Sequence, residues 1–135
     1  MLLYDLRGHG KTRNIDGIDI TPTLGIKDFA NDLKHLLGRL GIERPHLVGL
    51  SLGGMVAQTY AVMYPRDLST LTLADTLAPC AEYRQLKHHV FRLLRTYFPD
   101  AKPDDLMTMF NLILSHDAEI EKIEAPTLII AGEHD

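Results

Sequence analysis

The sequence has no tryptophan, one cysteine and only 7% aromatic residues. Cys80, being alone, cannot close an internal disulfide. The reading is a half-buried free thiol in a reducing compartment, which points to a cytoplasmic protein. There is no excess of basic charge: 14 Lys+Arg stand against 18 Asp+Glu, a net charge of −4. That balance, with no Arg/Lys stretch interleaved with aromatics, excludes a phosphate-binding surface as the main business, so no nucleic-acid partner is expected. No apolar run approaches the length of a membrane span, so no membrane partner is expected either. Met1 to Gly10 lacks the basic and apolar regions of a signal peptide. The seven histidines form no i, i+4 pair and no His/Cys cluster. His88 and His89 are adjacent, so on a helix they point about 100° apart and cannot chelate one ion. No metal is expected. There is no internal repeat and no low-complexity tract.

What is present is an ordinary globular composition, 45% apolar and 24% charged, arranged in alternating short apolar runs and amphipathic stretches. That alternation predicts an α/β fold with a mostly parallel sheet and flanking helices. Strands are expected at Met1–Tyr4, His46–Leu50, Leu71–Ala74 and Thr127–Ala131. From Thr23 to Leu40 the apolar residues Leu24, Ile26, Phe29, Ala30, Leu33, Leu36, Leu37 and Leu40 recur at helical spacing, and Gly41 stops the helix. A second helix is expected over Leu52–Tyr64, ended by Pro65. From about Pro79 to His116 strand signals vanish. Leu86, Val90, Leu93, Leu94 and Tyr97 form one helical stripe. Pro103, followed by Asp104 and Asp105, opens another with Leu106, Met109, Phe110 and Ile113. The stripes read as core-facing, and the run Asp117, Glu119, Glu121 and Glu124 reads as a solvated face. The domain reading is a core over 1–77, a helical insertion over 78–118 and a return to the core over 119–135.

The strongest chemical signal is Gly49-Leu50-Ser51-Leu52-Gly53, followed by Gly54, between an expected strand and an expected helix. That is the setting of a nucleophile elbow. The turn is so tight that side chains two residues before and after the serine are expected to collide, hence Gly49 and Gly53. It lifts the Ser51 hydroxyl to a helix N-terminus, where N–H groups and the dipole favour negative charge. The N–H of Leu52 becomes one donor of an oxyanion hole. A competing pattern, Gly10-Lys11-Thr12, looks like the end of a phosphate-binding loop, but the first glycine of that motif falls on Asp5, whose charge would repel a phosphate. Arg92 and Arg95, with Arg84, read as a solvated helix face rather than as an anion site.

With the elbow on the page, the sequence resembles the α/β-hydrolase superfamily over nearly its whole length. Asp5-Leu6-Arg7-Gly8-His9-Gly10 is similar to that superfamily's D-x-R-G-x-G after strand four, His46–Gly54 to strand five and the elbow, and Ala125–Asp135 to strand seven and the acid turn. The flavour is that of esterases, enol-lactonases and cofactor-free haloperoxidases. The resemblance implies a serine hydrolase of a carboxylic ester, lactone or similar acyl bond, using no cofactor, with a small acyl substrate as its partner. Ser51 would be the nucleophile and Asp135 the acid that orients a histidine, with Asp75 as the runner-up acid. Arg7 would be buried and tied to Asp5 and nearby carbonyls, His9 structural, and His134 a turn residue. The family's order is Ser, Asp, His, and no histidine follows Asp135. Strand three, which carries the second oxyanion donor and lies between strands four and five in the resemblance, has no counterpart. These 135 residues are therefore expected to be an internal fragment of a longer hydrolase. The alternative is a catalytically inactive protein or fragment with a binding role.

Overall fold

A computed structural model describes residues 1–12, 25–79 and 87–132. Cys80, Arg84, Leu86, His134 and the expected acid Asp135 lie outside the described residues, as do Thr23 and Leu24.

In chain order the elements are α1 (Ile26–Leu40), β1 (His46–Leu50), α2 (Leu52–Met63), β2 (Thr70–Ala74), α3 (Lys87–Tyr97), α4 (Pro103–Leu114) and β3 (Thr127–Ile130). Single 3₁₀ turns lie at Gly10–Thr12 and Ile120–Lys122. The three strands form one parallel sheet in the order β1-β2-β3. Parallel neighbours need long crossovers, and α2 supplies the first of them. The element types match the sequence reading, with one exception. Met1–Tyr4, expected as a strand, has no regular structure. Its apolar residues have the right composition, but a strand exists only against a hydrogen-bonding neighbour, and none of the three described strands pairs with it.

α2 is buried on all sides: every residue from Gly54 to Ala61 is inside. A helix apolar all round belongs in the middle of a domain, and this one packs on α1, β1 and β2. The main core joins Ile26, Phe29, Leu33 and Leu37 of α1 to Met55, Val56 and Tyr60 of α2 and to Leu71 and Leu73 of β2. The Leu71 side chain is fully buried. Leu71→Ala is expected to cost ~3 kcal/mol in chemical denaturation of the intact protein, the usual range for an unrelaxed leucine cavity.

α1 begins at Gly25, whose N–H is held by the Asp28 carboxylate at 2.8 Å. It ends at Gly41, which takes the left-handed conformation with φ 64° and donates to Leu37 and Gly38 carbonyls. That is the stop read from the sequence. Opposite α2 the sheet shows two apolar rows. Val48, Thr72 and Leu128 share one register row, and Leu50, Ala74 and Ile130 the next. Val48, Leu50, Leu128 and Ile130 are exposed, and among the described residues nothing covers them.

The helical segment has a smaller core of Val90, Leu94 and Leu106, with Phe91 meeting Phe110 edge to face at 5.9 Å. Leu112 belongs to the main core and Ile113 packs against both, so α4 joins the two. The stripe on α3 is narrower than its spacing suggested: Leu93 and Tyr97 are exposed. The acidic run is solvated as expected, with Asp117 paired to Lys27 and Glu119 to Lys122.

His116, at the end of α4, is buried, and its Nε2 has no partner among the described residues. Burial, opposed in part by Asp117, lowers its pKa below the ordinary 6.5. The unfolded chain therefore binds more protons there than the folded one as pH falls below 6.5. Stability conferred by the neutral ring is present at neutral pH and lost on acidification. The melting temperature should fall between pH 7.5 and pH 5.5, and His116→Gln should flatten that fall. An unchanged slope in the variant would assign the loss to other groups.

Candidate active site

The site is built at the C-terminal ends of β1 and β2. β1 ends at Leu50 and α2 starts at Leu52, so a single residue, Ser51, makes the whole turn. Its backbone sits at φ 49°, ψ −117°, a region that L-residues rarely adopt. Four bonds hold it there. The Ser51 N–H donates to the Ala74 carbonyl at 3.0 Å, and the Ser51 carbonyl accepts the N–H groups of Gly54 and Met55 at 2.9 and 3.2 Å. The Thr76 hydroxyl also donates to the Ser51 carbonyl, at 2.7 Å. The Ser51 side chain makes no capping bond to the helix it precedes, and the residue is exposed. Among the described residues its hydroxyl has no bonded partner, and it sits at the N-terminus of a buried helix. The first N–H groups of a helix have no acceptor within it. With Gly54 and Met55 satisfied by the Ser51 carbonyl, the Leu52 and Gly53 N–H groups have no acceptor among the described residues. They are donors for a developing negative charge.

The glycines are where the sequence reading needs correcting. A Cβ on Gly49 would overlap the carbonyl of Gly53, as expected of so tight a turn. A Cβ on Gly53, however, meets nothing among the described residues. The second crowded position is Gly54, where a Cβ would overlap the Thr76 side chain. The turn thus needs Gly49 for its own closure and Gly54 for packing against the end of β2. The role assigned to Gly53 by the expected collision falls to its neighbour.

Asp75, directly after β2, is the second strained residue nearby, at φ 39°. Its N–H continues the ladder to the Ile130 carbonyl at 2.9 Å, and its Oδ1 accepts the N–H of Gly132 at 2.9 Å. Gly132 is the last described residue before the segment that carries Asp135.

Arg7 departs from its expected bonding. Its Nε donates to Asp32 Oδ2 of α1 at 2.9 Å, and a second guanidinium nitrogen pairs with the other carboxylate oxygen. It is half-exposed and tied to α1, not to Asp5. The Asp5 carboxylate instead accepts the Lys11 N–H at 2.9 Å. Thr12 donates to the Leu6 and His9 carbonyls, so the resemblance to a phosphate loop ends there, its hydroxyl already used. A cleft of about 420 Å³ lined by Tyr4, Arg7 and Asp32 lies against α1 and holds none of the elbow residues. Burial, with Asp32 nearby, pushes the Tyr4 hydroxyl up to about 12, so it stays neutral. His9 packs edge-on to Phe29 and bonds the Arg7 carbonyl, a structural role. His46 bonds Thr70, and His89 accepts from Arg92 on an exposed face. None of these histidines is bonded to Ser51. Among the described residues no three His, Cys, Asp or Glu side chains gather as metal ligands. Nor is any helix there long and apolar enough to cross a membrane.

The family model described as the alpha/beta hydrolase fold matches residues 1–118. A 2-hydroxy-6-oxononadienedioate/2-hydroxy-6-oxononatrienedioate hydrolase of Paraburkholderia phymatum is 32% identical over 116 residues, covering 84% of this chain and 38% of that protein. A homoserine O-acetyltransferase of Thermus thermophilus is 37% identical over 71 residues, 53% of this chain and 19% of that one. Among solved structures, an alpha/beta hydrolase enzyme from a Medee basin deep-sea metagenome library superposes with a TM-score of 0.73 at 20% identity, covering 98% of this chain and 61% of that one. The chain thus spans less than two thirds of each of these relatives, and well under half of the two curated ones.

Proposed function

The chain belongs to the alpha/beta hydrolase fold family, and from that premise we propose that it carries the nucleophile of a serine hydrolase acting on a carboxylic ester, lactone or similar acyl bond. The observation that carries this reading is the conformation of Ser51. A non-glycine residue held at φ 49° by its neighbours, exposed and at the start of a buried helix, has a hydroxyl that bonds no partner among the described residues. A strained, exposed serine at a helix N-terminus is what a reactive hydroxyl calls for.

In this reading Ser51 Oγ attacks the carbonyl carbon and gives its proton to a histidine base supplied outside the described residues. Asp135 orients that histidine and stabilises its charged form. The carbonyl π electrons move to oxygen, where the Leu52 N–H helps hold the oxyanion. Collapse expels the alcohol, which takes the proton back from the histidine, and leaves an acyl-Ser51 ester. Water, deprotonated by the same histidine, then releases the acid. The route uses groups of the protein and water. Segment 78–118 is assigned the selection of substrate, and the single thiol fits a reducing, cytoplasmic setting.

The Thermus relative supports a second reading, acyl transfer, in which an alcohol replaces water in the last step. The test is stopped-flow hydrolysis of p-nitrophenyl acetate by the intact native protein. A nitrophenolate burst equal to the enzyme concentration is expected, with the steady phase accelerated by added alcohol if the protein is a transferase. No burst and no turnover of any activated ester would favour the non-catalytic binding role instead.

A further inference from the structure

Ser51 leaves β1, and the segment that carries Asp135 leaves β3. These strands are not neighbours, because β2 lies between them. At a strand spacing of about 4.8 Å, the two are roughly 10 Å apart across the sheet. A base that must meet both needs that separation held constant. The residues at the end of β2 are placed to hold it.

Four contacts leave this short segment in both directions. Toward the elbow, the Thr76 hydroxyl donates to the Ser51 carbonyl at 2.7 Å, and its side chain fills the space that Gly54 leaves open. Also toward it, the Gln58 side-chain amide of α2 donates to the Leu77 carbonyl at 3.0 Å. Toward β3, the Asp75 N–H donates to Ile130 and its carboxylate accepts the Gly132 N–H. Asp75 itself is held at φ 39°, strain of the kind that persists only where surrounding contacts over-determine it. The two non-glycine residues that follow β1 and β2 therefore share one device, a step at positive φ; Asp75 is bonded toward β3, and the adjacent Thr76 toward the elbow.

We propose that Asp75 and Thr76 are positioning residues that lock the Ser51 elbow to the exit of β3, at Ile130 and Gly132, from which the chain runs on to Asp135. This inference rests on the reading of Ser51 as nucleophile and Asp135 as acid. It assigns the Asp75 carboxylate a bond to a backbone N–H, not a bond to the base. An amide oxygen can also accept that bond, though more weakly than a carboxylate.

The test measures p-nitrophenyl acetate hydrolysis by the intact native protein and four variants, with Ser51→Ala as control. Asp75→Ala and Thr76→Val are expected to lower kcat by roughly 10- to 100-fold with KM within about 3-fold, the size of effect that follows from misplacing a reacting group by about 1 Å. Asp75→Asn and Thr76→Ser should stay within about 3-fold of the wild type. The pH-rate profile of Asp75→Asn should overlay that of the wild type. Two results overturn the proposal alone: Asp75→Ala and Thr76→Val as fast as the wild type, or Asp75→Asn as slow as Asp75→Ala. The latter would make the charge of Asp75 essential and Asp75 the triad acid. Turnover that survives Ser51→Ala would overturn the nucleophile reading itself, and the lock with it.

Discussion

Ser51→Ala in the intact protein is expected to lower kcat for ester hydrolysis by on the order of a million-fold while leaving the fold in place, the size seen when a serine nucleophile is removed from a complete triad. The loss is that large because in this reading Ser51 alone has the task of forming the acyl intermediate. Donors such as the Leu52 N–H would still polarise a bound carbonyl, and that sets the residual rate. Stability tells the other half. Ser51 occupies φ 49°, ψ −117°, and alanine has the same Cβ and suffers the same strain. Ser51→Ala should therefore melt within a degree or two of the wild type. Ser51→Gly should be equally inactive and more stable by ~1 kcal/mol, since glycine adopts positive φ without steric cost. A serine that destabilises its own fold is what a nucleophile held in an elbow predicts. If Ser51→Gly is less stable than the wild type, the hydroxyl has a structural role and the argument from strain fails.

The second large effect is on folding. Gly49→Val is expected to destabilise the intact protein by ~3 kcal/mol or more. The added Cβ overlaps the Gly53 carbonyl, which is backbone in the first turn of a buried helix and cannot swing aside. Gly53→Ala is the informative control. Its Cβ enters open space among the described residues, at a helical position where alanine is favoured over glycine. A change of less than ~1 kcal/mol is expected. The two positions flank Ser51 symmetrically in the sequence, yet thermal or urea unfolding should separate them clearly. Equal penalties would mean that Gly53 is as crowded as Gly49 in the folded protein.

That asymmetry shows what the sequence could and could not convey. Local patterns were readable. The apolar spacing of Ile26 to Leu37, the stop at Gly41, the strand His46–Leu50 and the helix start at Pro103 all depend on neighbours in the chain, and the structure has them. Ser51 could be found because a strand, a serine between glycines and a helix follow one another directly. What depended on distant pairing was not readable. Met1–Tyr4 has strand composition, but none of the described strands pairs with it. Arg7 finds Asp32, 25 residues away, rather than Asp5. The need for glycine at position 54 comes from Thr76, on another strand's exit. Leu93 and Tyr97 continue a helical stripe past the point where there is a core to receive it. Asp75 was visible as an acid at a strand end, but its bond to Gly132 is a fact of the sheet order alone.

The central claim is that Ser51 is a reactive nucleophile. The most direct measurement is peptide mass spectrometry of the native protein after brief treatment with a fluorophosphonate. One covalent adduct, on the peptide containing Ser51 and abolished by Ser51→Ala, is the result expected here. An unmodified Ser51 in folded native protein, or an adduct on any other residue, would contradict it.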